Sequence, residues 1–170
     1  QLRLAAPHDL GMSTIPALLK RFAETHPNIC VDVRLDACDD AQALFASGDA
    51  QVVFFSEQSS KIQTARKLYT EDLCWLQAAN GVAAQNTPLP IAVSEKGCSW
   101  RDAALAAWDQ EGLPYRVAYS SDTSAGQLAA VRADLAVAAL PKTIVGKDVS
   151  LFSPKRGLPA IGRVTMFMAH

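Results

Sequence analysis

Apolar runs of strand length alternate with amphipathic helical stretches along most of this chain, and that alternation limits the fold more than any single motif. Leu2-Arg3-Leu4-Ala5-Ala6 reads as a strand, and Ile15, Leu18, Leu19 and Phe22 then fall on one helical face. Ser13 or Thr14 suits the cap of that helix, Pro16 its first turn, and Pro27 blocks its continuation. Val31, Val33 and Leu35 alternate with Asp32, Arg34 and Asp36, the pattern of a strand near a sheet edge. Asp39 or Asp40 then starts a short helix carrying Ala41, Leu44 and Phe45, which Gly48 stops. The near-continuous apolar run from Gln51 to Phe55 suits a central strand covered on both faces. Strand-helix-strand-helix-strand requires parallel pairing with right-handed crossovers.

A second unit of the same kind follows. Leu68 to Ala79 reads as a long extended segment and Gly81 to Pro90 as a loop. A strand at Pro90 to Ser94 leads to a helix over Ser99 to Glu111, with Gly112 and Pro114 as its stop. A strand over Tyr115 to Ser120, a helix over Ser124 to Ala133 and a buried run from Leu135 to Leu140 complete the unit, and Pro141 ends the run. Arg163 to Ala169 is one last strand. The expected architecture is α/β: two Rossmann-like lobes with parallel-dominated sheets, joined by extended hinge segments. Lobe I takes 1–76 plus 153–170, and lobe II takes 77–152. The chain opens directly on a strand at Gln1 and closes on one, so it is expected to be a piece of a longer protein.

Composition narrows the function classes. With 170 residues, 49% of them apolar, and a formal net charge of −1, the chain is neither disordered nor a basic nucleic-acid binder in its own right. The longest uncharged stretch, Leu73 to Ser94, holds Gln77, Asn80, Gln85, Asn86 and two prolines, which a bilayer span would not tolerate. No basic segment followed by an apolar one opens the sequence, so no signal peptide is expected. Cys30, Cys38, Cys74 and Cys98 form no C-x-x-C pair, and His8, His26 and His170 are scattered. Free thiols in a reducing cytoplasm are expected, with no metal site and no cofactor. Nucleophile elbows, Walker A loops and dinucleotide fingerprints are absent, so catalysis is not expected.

In open parallel sheets, ligands bind beyond the carboxyl ends of strands, where helix N-termini favour anions. The corresponding loops here are Pro7 to Thr14, Ala37 to Asp40, Ser94 to Trp100 and Ser120 to Ser124. All four are rich in small polar residues, Ser13 and Ser121 among them, and a cleft between lobes is the expected site.

The ordered run Leu2-Arg3-Leu4-Ala5-Ala6-Pro7-His8-Asp9, Ile15-Pro16-x-Leu18-Leu19-x-x-Phe22 and His26-Pro27 resembles the start of the effector-binding domain of LysR-type transcriptional regulators. The likeness continues through Ser47-Gly48, Val52-Val53-Phe54, the segment Glu95 to Leu105, Tyr119-Ser120-Ser121, Ala129 to Ala133 and Leu140-Pro141. Two positions depart from the pattern: Gln51 stands where the family usually has Asp, and Asp134 where it usually has Gly. An Asp in that place is expected to strain a helix end that glycine would relieve.

The resemblance implies a periplasmic-binding-protein-like (type 2) fold in a cytoplasmic regulator whose winged helix-turn-helix lies outside this chain. It implies a homodimer of antiparallel effector domains, a small-molecule effector (a carboxylate among the candidates), and DNA contact only through the N-terminal domain. Effector-contacting positions of the family fall on Asp9, Leu10, Cys38, Cys98, Ser99 and Trp100.

Several of these residues carry a plainer reading beside the functional one. Ser99 with Asp102 resembles a capping box, and Trp100 shares a helical face with Ala104, Ala107 and Trp108. Asp9 suits a loop turn, and Cys98 reads as an unreactive thiol against a redox switch. A solute-binding protein of a transport system shares the fold and is the alternative; a domain that binds only protein partners is a third class.

Overall fold

The computed structural model describes residues 1–12, 14–56, 62, 64–96, 98–152 and 160–170. The chain divides into two units, Gln1–Thr70 with Val164–His170, and Glu71–Arg163. The passage between them lies inside the long strand after Thr70 and again before Val164.

In the first unit, β1 (Leu2–Pro7) pairs in parallel with β2 (Val31–Asp36) on one side and with β3 (Val52–Ser56) on the other. The closing strand β9 (Arg163–Ala169) runs antiparallel to β3, with Val53 opposite Ala169 and Phe55 opposite Phe167. The resulting order, β2-β1-β3-β9, leaves β2 at the edge, as its half-polar alternation requires. By contrast β3, apolar from Val52 to Phe55, is internal, and Val53 and Phe55 are fully buried. Ala5, Ala41, Ala50, Val53, Phe55 and Ala169 form the core, and Phe55 stacks on Phe167 at 5.8 Å.

The helices of this unit follow the apolar pattern with two differences. α2 (Thr14–Thr25) buries Ile15, and α3 (Cys38–Ala46) buries Ala41. α3 begins one residue before Asp39, with Ala37 at its N-cap and no side-chain cap; the two aspartates lie in its first turn instead, where they complement the helix dipole. Gly48 does stop the helix, at φ +81°. The segment read as a loop after β1 contains a one-turn helix, α1 (His8–Met12). Five residues are too few to show a helical period. Its Gly11 permits the Leu35 side chain of β2 to lie where a Cβ would stand.

Gln51, the first departure from the family pattern, ties β3 to β1: its side-chain oxygen accepts from Arg3 N (2.9 Å), and its own N–H donates to Arg3 O (2.9 Å).

In the second unit β5 (Leu89–Val93) pairs in parallel with β6 (Tyr115–Ser120) and β7 (Val137–Pro141). β4 (Arg66–Ala78) enters this sheet antiparallel to β7 and carries β8 (Val149–Leu151) on its other side. β5 and β7 are buried at every residue, whereas the edge strand β6 is exposed along most of its length. α4 (Ser99–Glu111) and α5 (Ser124–Arg132) cover the sheet, and α4 stops at Gly112 (φ +60°). Leu76, Ala92, Leu128, Val131, Ala138 and Leu140 centre one core. Trp75 of β4 meets Trp108 of α4 at 4.9 Å in a tilted pair.

Asp134, the second departure, does adopt a left-handed backbone (φ +55°), and its carboxylate has a use that glycine could not supply. Oδ2 accepts from Val82 N (2.8 Å) and Oδ1 from Ala83 N (3.0 Å), capping the 3₁₀ turn Ala83–Gln85.

Candidate functional site

The carboxyl ends of the parallel strands place the sequence-derived candidates in two groups, one in each unit. In the first unit, α1 follows β1 directly, and it sets Asp9 and Leu10 differently. Leu10 is buried in the core with 4% of its surface exposed, so its side chain is a packing residue here, while Asp9 is half-buried. Ser13 lies outside the described residues. Cys38 opens α3 and is half-buried: its Sγ lies 3.8 Å from Ser56 Oγ, and Gln42 Nε2 donates to its carbonyl at 3.3 Å. Ser56 and Gln42 therefore join Cys38 at the strand ends. Neither was singled out in the sequence, although Ser56 is the first polar residue after the apolar run of β3 and so marks where that strand leaves the core.

In the second unit the carboxyl end of β5 leads through Ser94 to α4. The helix begins at Ser99 with Cys98 as N-cap: the Cys98 carbonyl accepts the first helical bond from Asp102 N (3.1 Å), and its side chain makes no cap bond. Ser99 is thus inside the helix rather than its cap, which removes the capping-box reading; the Ser99 side chain lies outside the described residues. The cause is the bond from Cys98 N to Glu95 O (3.3 Å), which closes a turn just before the helix. Ala104, Ala107 and Trp108 are buried, while Trp100, a turn earlier, is half-buried.

Ser121 follows β6 and is spent on the turn into α5. Its N–H donates to Val93 O (3.1 Å), its Oγ accepts from Thr123 N (3.2 Å), and Gly126 gives that hydroxyl the space a Cβ would fill. Thr123 is the true cap, accepting from Gly126 N at 3.1 Å.

Around the end of β5, Ser94, Trp100, Arg101 and Gln127 line one small crevice with Ala92 and Val93. Arg101 Nη1 donates to Ser94 O at 2.6 Å, fixing the guanidinium over the strand end. Arg101 and Gln127 were not singled out in the sequence. The four cysteines are free thiols, and among the described residues no group of His, Cys, Asp and Glu could hold a metal ion. Cys74 has its thiol pKa raised above the usual 9.0, by burial first, against the opposing pull of Lys142.

Two layered α/β units, each with its small polar residues gathered at helix starts, agree with the comparisons to known proteins. The sequence matches the LysR substrate binding domain family over residues 1–151. The chain belongs to that family. HTH-type transcriptional regulator DgdR of Burkholderia cepacia is 28% identical over 165 residues, covering 96% of this chain and 55% of that protein. The chain spans about half the length of the curated relatives it matches.

Among solved structures, the cofactor-binding domain of the Cbl transcriptional regulator aligns with a TM-score of 0.76 at 17% identity, over 98% of this chain and 78% of that one. The Synechocystis PCC6803 CcmR regulatory domain, solved in complex with 2-PG, aligns with a TM-score of 0.73 at 18% identity, over 99% and 86%. Identities this low carry the fold alone, and the fold is the periplasmic-binding-protein-like type 2 class. As a LysR substrate binding domain the chain is a ligand-binding regulatory module, and its curated relatives are regulators rather than enzymes. Among the described residues no helix is long and apolar enough to cross a membrane.

Proposed function

We propose that this domain binds a small-molecule effector at the loops where its parallel strands hand over to helices, and that occupancy resets a cytoplasmic transcription factor of which it forms part. The observation that carries this is the family match over residues 1–151. The helix starts support it: α3 and α4 both begin without a side-chain cap, leaving first-turn N–H groups for a ligand to satisfy. Asp9, Cys38, Cys98, Ser99 and Trp100 are the effector contacts in this reading. Ser121 has a turn to hold, and Leu10 contributes packing beneath them.

In the whole protein the domain works as one half of a homodimer of antiparallel effector domains, and DNA is held by an N-terminal winged helix-turn-helix. The name of the relative DgdR, an HTH-type transcriptional regulator, supports the helix-turn-helix part of this reading. An effector changes transcription only by binding one arrangement of the dimer better than another. A coupling of about 1–3 kcal/mol between effector and DNA suffices, a change in affinity of roughly 5–150-fold.

Footprinting and titration of operator DNA by the full-length regulator, with and without a ligand that stabilises this domain, tests the reading. A shift in affinity, in the protected region or in DNA bending is the expected result. Binding of the ligand with all three unchanged refutes it.

A further inference from the structure

The sequence has three asparagines, Asn28, Asn80 and Asn86, and Asn80 alone is followed by glycine. Asparagine is a thermolabile residue, and a following glycine, with no Cβ to shield its backbone nitrogen and wide freedom in φ and ψ, exposes it most. The reaction is intramolecular. Hydroxide takes the Gly81 N–H proton, the nitrogen bonds to Asn80 Cγ, the Cγ–Nδ2 bond breaks, and ammonia leaves with the proton returned to it. Water then adds across either C–N bond of the resulting succinimide. The product is aspartate, or iso-aspartate with one extra methylene in the main chain.

Asn80 is exposed, in the turn between β4 and the 3₁₀ turn Ala83–Gln85, so water and hydroxide reach it. The Gly81 nitrogen, however, is held. Its N–H donates to Ala78 O at 3.1 Å, closing the turn from Ala78 to Gly81. Ala79 N donates to Asp148 O (3.0 Å) on one side of Asn80, and on the other Asp134 takes Val82 N (2.8 Å) and Ala83 N (3.0 Å). The Asp134 carboxylate lies against Gly81, where a Cβ would collide with Oδ1. Two effects therefore oppose the reaction. The turn must open before the nitrogen can reach Cγ, and the amide anion that attacks must form beside a carboxylate, which Coulomb repulsion disfavours.

We propose that Asn80–Gly81 is a site of spontaneous deamidation that the Asp134 carboxylate keeps shut in the folded domain. Asp134 acts through the turn: it pins the two N–H groups that follow Gly81 and sets a negative charge beside the nitrogen that has to become an anion. Glycine at position 134 supplies neither. Once conversion occurs, a second carboxylate or a lengthened main chain enters the turn that Asp134 clamps, and the clamp is weakened in the modified molecules. The inference is independent of the ligand-binding reading above.

The test ages the purified chain at mildly alkaline pH and follows each asparagine by peptide mass mapping, which reads the gain of one mass unit on conversion to aspartate or iso-aspartate. In urea, Asn80 of the wild type is expected to convert at least tenfold faster than Asn28 or Asn86. Folding is expected to slow Asn80 at least tenfold. Folded Asp134→Gly is expected to convert at least threefold faster than folded wild type. Asp134→Asn, which nearly keeps the shape and removes the charge, is expected to convert faster than wild type as well. Gly112→Ala separates this from a general loss of stability: its added Cβ meets nothing within 4 Å, it strains the backbone only at the end of α4, and the Asn80 rate is expected to stay at the wild-type value. An Asn80 that in urea converts no faster than Asn28 and Asn86, or that converts equally fast folded and unfolded, overturns the site. Wild-type rates in both position-134 variants, or an equal acceleration in Gly112→Ala, overturn the role of Asp134.

Discussion

Replacing Asp134 separates two effects of opposite sign. Its carboxylate accepts from Val82 N at 2.8 Å and from Ala83 N at 3.0 Å, and its backbone is held at φ +55°. A hydrogen bond to a charged group contributes about 1.5–3 kcal/mol, and less where water can replace it. Val82 is 60% exposed and Ala83 only 4%, so the Ala83 bond dominates. Asp134→Ala forfeits both bonds and keeps the left-handed backbone, at a cost of about 2–3 kcal/mol. Asp134→Gly forfeits the same bonds and regains about 1 kcal/mol from the unstrained φ. Urea unfolding of both variants should therefore show Gly above Ala by about 1 kcal/mol, with both below wild type.

A coupled variant sharpens the test. A Cβ at Gly81 would collide with Asp134 Oδ1 and stand 2.8 Å from Ala78 Cβ. Gly81→Ala should cost about 1–3 kcal/mol alone and roughly 1 kcal/mol less in the Asp134→Gly background. Equal stability of the Gly and Ala variants at position 134, or strict additivity with Gly81→Ala, would refute the account of this clamp.

Other expectations are simpler. Trp108→Ala, which empties a side chain 2% exposed and packed on Trp75, should cost about 3–5 kcal/mol in urea unfolding; a loss under 1 kcal/mol would contradict the packing. Gly112→Ala, at φ +60° with open space around it, should cost about 1 kcal/mol through backbone strain alone. Burial holds the Cys74 thiol protonated above its ordinary 9.0, so this group's contribution to stability is intact below pH 9 and is lost as pH rises through the raised value. At pH 8 Cys74 should therefore alkylate more slowly than exposed Cys30, as read by peptide mass mapping; equal rates would contradict it.

The long elements were readable because each had both a period and a stop. Ser99 to Glu111 was bounded by Gly112 and Pro114, and Arg163 to Ala169 was a mostly apolar stretch of strand length. The alternation in Val31 to Asp36 placed that strand at an edge, where it lies. What the sequence hid was short or relational. α1 has too few residues to show a period; α3 starts one residue before Asp39 because Ala37 takes the cap, and α4 starts at Ser99 as read but with Cys98, not Ser99, at its cap.

At the strand ends, Ser121 looked like any loop serine until Gly126 was seen to make room for its hydroxyl. Asp134 could be read as strain, but its bonds reach about fifty residues back along the chain to Val82 and Ala83. Gln127 had a signal that went unused: a polar residue on the same buried stripe as Leu128 and Val131.

The central claim is that this domain takes a small ligand, and a thermal-shift screen of the purified chain against carboxylates, amino acids, aromatics and nucleotides tests it most directly. A ligand at a hundredfold excess over Kd adds about 2.7 kcal/mol, which for a chain of this size raises the melting temperature by about 5–11 °C. The account predicts a shift of that size for at least one class, diminished by Trp100→Ala with the ligand-free fold intact. A melting temperature that no class of ligand moves would contradict it.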